Sequence, residues 1–272
     1  ISFNQFCNGF YDSDSRFIRK QKSRLVEYQP QTIYQKKLYL NRFLDRFGNF
    51  RADCITASDI ENWLVELDCS NSVRNNILGV INDIENELYS YHYITNVIHV
   101  KRFKRNTKSK GTLSLAEIKL LFPDDYYELI NRWTILKTDR EVDIYSFATM
   151  IYTIVSTGMR SCEIRALQWN QFIRDDAILI NAMIDSNDER VNRLKKWTND
   201  NKKWRLTILP DKTKAMIQKL RLLQNDNSEY VFTRNDAEIS DYFLLSHLKC
   251  VLEKNGIDHI ARNIIMKADL SF

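Results

Sequence analysis

The chain has 272 residues, 44% hydrophobic and 28% charged, a composition that excludes intrinsic disorder and leaves room for one large domain or two of ordinary size. Its 40 basic and 35 acidic residues give a net charge of +5, too mild on its own to imply a polyanionic partner. No apolar run approaches the roughly 18 residues of a membrane span, so no membrane partner is expected, and the 6 glycines and 3 prolines favour long helices over many short strands.

Residues 1–27 are mixed and polar, carry the basic cluster SRFIRKQKSRL, and read as an N-terminal arm or linker remnant. From Thr32 the pattern is helical: Ile33, Leu38, Leu40, Phe43, Leu44 and Phe47 recur at three- and four-residue steps, with Gly48 as a stop. Thr56 or Ser58 can cap a second helix, with Asp59 and Glu61 at its positive end. A third helix over 70–90 is apolar at Val73, Ile77, Val80, Ile81, Ile84 and Leu88, so residues 28–100 read as a small helical bundle. Lys101, Arg102, Lys104, Arg105, Lys108 and Lys110 follow with no acid among them, in a linker over 101–111. That run fits a solvated connection or a strap lying on phosphates, where each ion pair releases condensed counterions.

The rest of the chain, 112–272, mixes helix with a small sheet. Ser114 and Glu117 form a capping box for a helix, and a long helix spans 143–156. A tight turn, STGMR, then leads into another helix. DAILINAMI and KKWRLTIL are strand-like and are separated by a polar segment with turn residues at 198–201. A helix over 211–225, a short strand and one further helix complete the pattern. The expected fold is mainly α: a helical bundle followed by a mixed α+β domain with a small antiparallel three-stranded sheet.

The five cysteines are odd in number and widely spread, and no Cys-x-x-Cys pair is present. They read as reduced, mostly buried thiols of a cytosolic protein. The four histidines form no ligand cluster, and neither metal nor cofactor is expected.

The most informative stretch is STGMRSCEIRALQWNQF, residues 156–172. Gly158 permits a sharp turn, Arg160 stands at a helix start where free N–H groups favour an anion, and Glu163 lies one turn along, able to orient the guanidinium. An ordinary surface Arg–Glu pair is the simpler reading of those two residues. The whole segment resembles the signature of the tyrosine recombinases (phage integrases), in Thr157, Gly158, Arg160 and Glu163 with Leu167 and Trp169 as its apolar tail. The resemblance runs from about residue 28 to the end. The segment 28–100 is similar to the family's helical, SAM-like core-binding domain, and LSLAEIKLLF looks like the opening of its catalytic domain. The sheet ending in ILP stands where the family has its β-hairpin lysine.

The resemblance implies a tyrosine that attacks a scissile phosphate to form a 3′-phosphotyrosyl bond, without metal or nucleotide. It also implies two arginines and a histidine that hold the phosphate, and a hairpin lysine that protonates the leaving oxygen. Such catalysis works by positioning and charge neutralisation. Arg160 is the first arginine, with Glu163 in support. Lys202, counted back from Pro210, is the first choice for the lysine and Lys196 the alternative; Lys195, Lys196, Lys202 and Lys203 also fit plain solvated or phosphate-contacting charges. His259 and Arg262 fit the spacing of the family's His-x-x-Arg, yet NIIMKADLSF does not resemble the helix that comes after it there. The expectation is a chain cut just upstream of that motif, with no nucleophile of its own. Tyr230 and Tyr242 come too early and are expected to be packing residues.

The implied partners are a double-stranded DNA recombination site and further protomers, a tetramer when active, in the bacterial cytoplasm on the nucleoid. An integrase of a prophage or other mobile element is the leading expectation. Candidate DNA contacts are Lys36, Lys37, Arg42 and Arg74 with the linker set Lys101, Arg102, Lys104, Arg105, Lys108 and Lys110, and a plain surface charge fits each of them alone. A non-catalytic DNA-binding protein with a degenerate recombinase fold is the alternative. A helical protein–protein adaptor is a third reading, disfavoured by the basic linker and the 156–169 segment.

Overall fold

A computed structural model describes residues 1–105, 111–185, 187–194, 204–224 and 228–257. The chain divides into two compact units, residues 1–108 and 109–272.

In the first unit five helices surround an aromatic-rich core. Helix α1 (Phe3–Cys7) is closed by a capping box of Ser2 and Gln5, and α2 (Arg16–Ser23) is capped by Ser15. Helix α3 (Pro30–Phe47) starts with a proline, whose missing N–H costs nothing in the first turn, and buries Leu40, Phe43 and Phe47 on one face. Thr56 and Asp59 cap α4 (Ala57–Glu66), and Ser70 caps α5 (Asn71–Ser90). Phe3 meets Phe43 edge-to-face at 4.9 Å, and Phe47 meets Trp63 at 5.4 Å. Gly48 is required by close approach: a Cβ there would lie 2.5 Å from the Leu44 carbonyl oxygen. Residues 1–27, expected as an arm or linker remnant, contribute Phe3, Cys7, Phe10, Tyr11, Phe17 and Ile18 to this core.

Three polar side chains are buried on α5: Glu87 pairs with Lys20, while Asn75 and Glu85 hold the segment that leaves the bundle. Asn75 brackets Phe103, accepting from its N–H and donating to its C=O at 2.9 Å each, while Asn71 donates to the Lys104 carbonyl at 2.8 Å. Glu85 accepts from the Ile98 N–H at 2.8 Å through Oε2, but Oε1 has no partner among the described residues. Burial pushes the Glu85 carboxyl up to about 7, with the Ile98 hydrogen bond acting the other way. Between the ordinary carboxylate value and about pH 7 the folded protein therefore keeps a proton that the unfolded chain has released. Stability falls as pH rises through that window, by about 3 kcal/mol in all. Urea denaturation of Glu85→Gln is expected to lose this slope between pH 5 and 8; a variant with the wild-type slope contradicts the assignment.

The second unit is built around α8 (Glu141–Thr157), buried on nearly every side through Ile144, Tyr145, Phe147, Ala148, Met150, Ile151 and Ile154. Helices α6 (Leu115–Leu121) and α7 (Tyr126–Trp133) precede it, and α9 (Ser161–Arg165) comes after it. The Ser114–Glu117 capping box on α6 is present as expected. Strands β1 (Phe172–Arg174), β2 (Ala177–Ile180) and β5 (Arg205–Ile208) form an antiparallel sheet in the order β1-β2-β5. Between β2 and β5 lies an excursion that carries its own ribbon of β3 (Met183–Ile184) and β4 (Arg190–Val191). Helix α10 (Asp211–Leu223) packs on α8; the hairpin of β6 (Thr233–Arg234) and β7 (Ala237–Glu238) leads into α11 (Asp241–Lys254).

Strand β5 reverses the usual polarity. Leu206 and Ile208 face solvent, while Arg205 and Thr207 are half-buried.

The cysteines depart from the expectation of mostly buried thiols. Cys7 is buried, and burial pushes its thiol up to about 12, but Cys54 and Cys250 are exposed and Cys69 and Cys162 are intermediate. No helix among the described residues is long and apolar enough to cross a membrane.

Candidate functional site

Helix α8 ends because Gly158 adopts a left-handed conformation (φ 66°), open to glycine at no steric cost, and closes the helix through its N–H to the Ile154 carbonyl. The chain then turns through the fully buried Met159 and delivers Arg160 in extended conformation at the start of α9.

Among the described residues Glu163 holds two arginines, Arg160 and Arg205. Its side chain is 0% exposed. Oε1 accepts from Arg160 Nη1 at 2.9 Å, and Oε2 accepts from the Arg160 backbone N–H at 3.0 Å and from Arg205 Nη2 at 2.6 Å. A buried carboxylate thus fixes two guanidinium groups, one of them from a strand 42 residues further along the sequence. The side chains of Arg160 and Arg205 are 32% and 36% exposed, so both are partly open to solvent while that of Glu163 is not. Buried charges persist only when paired and hydrogen-bonded, and both oxygens of Glu163 satisfy that condition.

Sequence reasoning singled out Arg160 and Glu163 as a pair but missed Arg205. It also assigned anion-binding capacity to free N–H groups at the helix start. Helix α9 has only five residues and the Arg160 N–H is already taken by Glu163, so the guanidinium groups carry that role. Lys196 and Lys202 lie outside the described residues, as do Lys195, Lys203, His259 and Arg262.

Two residues further along α9, Arg165 is 3% exposed and turns into a separate network. Its Nε donates to the Ile239 carbonyl at 2.6 Å, and its guanidinium pairs with Asp188 (3.0 Å), Glu238 (2.9 Å) and Asp241 (3.1 Å). This network ties α9 to the β6–β7 hairpin and to α11.

The expected DNA-contacting residues divide into two groups. Lys36 pairs with Asp83 at 2.5 Å and lies over the rings of Tyr11 and Tyr28. Arg74 donates to the carbonyls of Leu64, Val65 and Leu67, closing the C-terminus of α4. Both side chains are engaged within the first unit. Lys37 pairs with Asp12 at 2.6 Å in an exposed ion pair, and Arg42 is exposed. Lys101, Arg102, Lys104 and Arg105 are exposed on the segment pinned by Asn75 and Asn71, with Phe103 turned the other way into the core; Lys108 and Lys110 lie outside the described residues. Of the two tyrosines expected to pack, Tyr230 is half-buried, whereas Tyr242 is 83% exposed, a correction explained by its place in the first turn of α11. Among the described residues no group of three or more His, Cys, Asp or Glu could hold a metal ion.

No family model matches the sequence, and no curated protein matches it. Solved structures do match its fold. The chain aligns with the Tn1549 transposon integrase in complex with a circular intermediate DNA at a TM-score of 0.69 and 12% identity, over 94% of this chain and 79% of that one. It aligns with a lambda integrase dimer bound to a COC′ core site at 0.61 and 12%, over 95% and 80%. A lambda integrase tetramer bound to a Holliday junction gives 0.61 and 12%, over 92% and 66%. These neighbours are tyrosine recombinase integrases, and this chain shares their fold.

Proposed function

We propose that this chain binds DNA and holds a backbone phosphate as a site-specific DNA recombinase, one that cuts and rejoins strands through a 3′-phosphotyrosyl intermediate. The observation that carries the reading is Arg160 fixed at a partly open surface by a fully buried carboxylate. A planar guanidinium held in this way can offer two parallel hydrogen bonds to phosphate oxygens without reorganising as charge develops. Glu163 orients it, and Lys202, or Lys196, supplies a proton to the leaving 5′-oxygen. The attacking tyrosine is neither Tyr230 nor Tyr242. Residues 28–100, with the 1–27 segment packed into the same core, form the core-binding domain, 101–111 the basic connection and 112–272 the catalytic domain.

Duplex DNA is the substrate, contacted mostly at phosphates by Arg42, Lys37 and the basic residues of 101–110, with further protomers assembled on the same DNA. Asn75 and Asn71 pin the backbone at Phe103 and Lys104, which leaves Lys101, Arg102, Lys104 and Arg105 exposed on a segment already ordered before DNA binds.

The test uses a nicked duplex that traps covalent protein–DNA adduct on a denaturing gel, with the product of the gene that encodes this chain. Wild type is expected to form adduct and Arg160→Ala to reduce it by at least about a hundredfold. DNA binding with no adduct from any version supports the other reading, a non-catalytic DNA-binding protein with a recombinase fold. Absence of DNA binding defeats both.

A further inference from the structure

One arginine is enough to neutralise one carboxylate, yet Glu163 holds two. The side chains of Arg160 and Arg205 are both partly open to solvent, while that of Glu163 is sealed. Arg205 is brought to Glu163 against the grain of its strand. Its neighbours Leu206 and Ile208 are left exposed so that Arg205 and Thr207 can turn inward, an arrangement that a sheet optimised only for burial would not adopt. A buried ion pair is also a weak way to gain stability, because an apolar replacement of similar volume is often as stable or more so.

Building on the recombinase reading, we infer that Arg205 is a second phosphate-contacting arginine. Arg160 and Arg205 converge on one phosphate of the DNA backbone, and Glu163 fixes their spacing by accepting from both. The two forks approach from different elements, α9 and β5, and so can take different non-bridging oxygens of that phosphate. Arg205 supplies this contact from the sheet, independently of any arginine further along the chain.

The inference is tested by DNA binding, a readout that does not require cleavage. Fluorescence anisotropy with a nicked duplex gives the slope of log Kd against log salt for wild type, Arg160→Ala, Arg205→Ala and Arg205→Lys. Arg205→Ala is expected to lower the slope by about 0.9, one phosphate contact, and Arg205→Lys to keep most of it. A scan of duplexes with a single neutral methylphosphonate then locates the contact. One position should weaken wild-type binding most and weaken each alanine variant by less, because a single arginine is then left on that phosphate. Thermal unfolding of each variant separates loss of the contact from loss of the fold, and Arg205→Lys preserves the test if Arg205→Ala unfolds. A wild-type slope and methylphosphonate profile in a folded Arg205→Ala overturns the inference. If instead the slope falls and the positions coincide, but no version forms covalent adduct, the phosphate contact stands and the recombinase reading fails.

Discussion

Glu163→Gln is expected to reduce covalent adduct formation by about a hundredfold or more and to destabilise the second unit by about 2–4 kcal/mol. The carboxylate is fully buried and each oxygen is occupied, by Arg160 on one side and by the Arg160 N–H and Arg205 on the other. An amide of the same shape keeps one acceptor but turns an NH2 toward a guanidinium, replacing an ion pair with two donors face to face. It also removes the carboxylate charge that both cations share. Because both arginines are about a third exposed, water relieves part of that loss, and the stability cost stays below the full cost of breaking a buried pair. The catalytic cost is larger, since guanidinium groups free to rotate toward water no longer meet a phosphate in a fixed geometry. Single-turnover cleavage and urea denaturation of the variant measure the two effects. Normal cleavage by a folded Glu163→Gln would show that the carboxylate does not position the arginines.

The second large effect is expected at Arg165. Arg165→Met removes the cation from a nearly enclosed site and leaves Asp188, Glu238 and Asp241 facing one another and the Ile239 carbonyl without its donor. Asp188 and Asp241 are largely exposed and can rehydrate, whereas Glu238 is mostly buried, and burial raises its carboxyl even with Arg165 in place. A loss of about 3–4 kcal/mol is expected at neutral pH, enough to lower the midpoint of thermal unfolding by many degrees. The variant should also recover stability on acidification. With Arg165 gone, the folded-state value of Glu238 rises further above its unfolded value, so the folded state binds a proton more readily and gains stability as pH falls through that range. Equal destabilisation at pH 5 and pH 8 would contradict these roles for Arg165 and Glu238.

The elements that the sequence made legible are those whose side chains satisfy local rules. Helices α3, α4 and α5 show three- and four-residue apolar spacing with recognisable caps, and α8 is apolar throughout its length. Gly158, Arg160 and Glu163 lie within six residues of one another, so their relation could be read directly. Helix α7 was missed although Asp125 caps it and Leu129 and Trp133 form its buried face, because eight residues give too short a period to stand out. The first helices of the chain were hidden by the lysines and arginines of the 15–25 cluster, which obscure the apolar spacing of Phe17 and Ile18.

The rest depended on long-range pairing. Arg205 gains its meaning from a carboxylate 42 residues away, and its strand offers the opposite cue, since Leu206 and Ile208 read as the core face and are in fact exposed. The long excursion that separates β2 from β5, with a ribbon of its own, removed the short hairpin from which a register could have been counted. Asn75 and Glu85 carry no apolar signal that would mark them as buried. Their partners, Phe103 and Ile98, lie outside the helix altogether.

The most direct test is an experimental structure of the protein on a nicked duplex, read at the distance between a backbone phosphate and the two guanidinium groups held by Glu163. A single phosphate is expected within about 3 Å of hydrogen-bonding nitrogens of both Arg160 and Arg205, with the Glu163 contacts retained. A duplex seated elsewhere on the second unit, with that pair facing solvent, would contradict the assignment of this cluster as the phosphate-holding site.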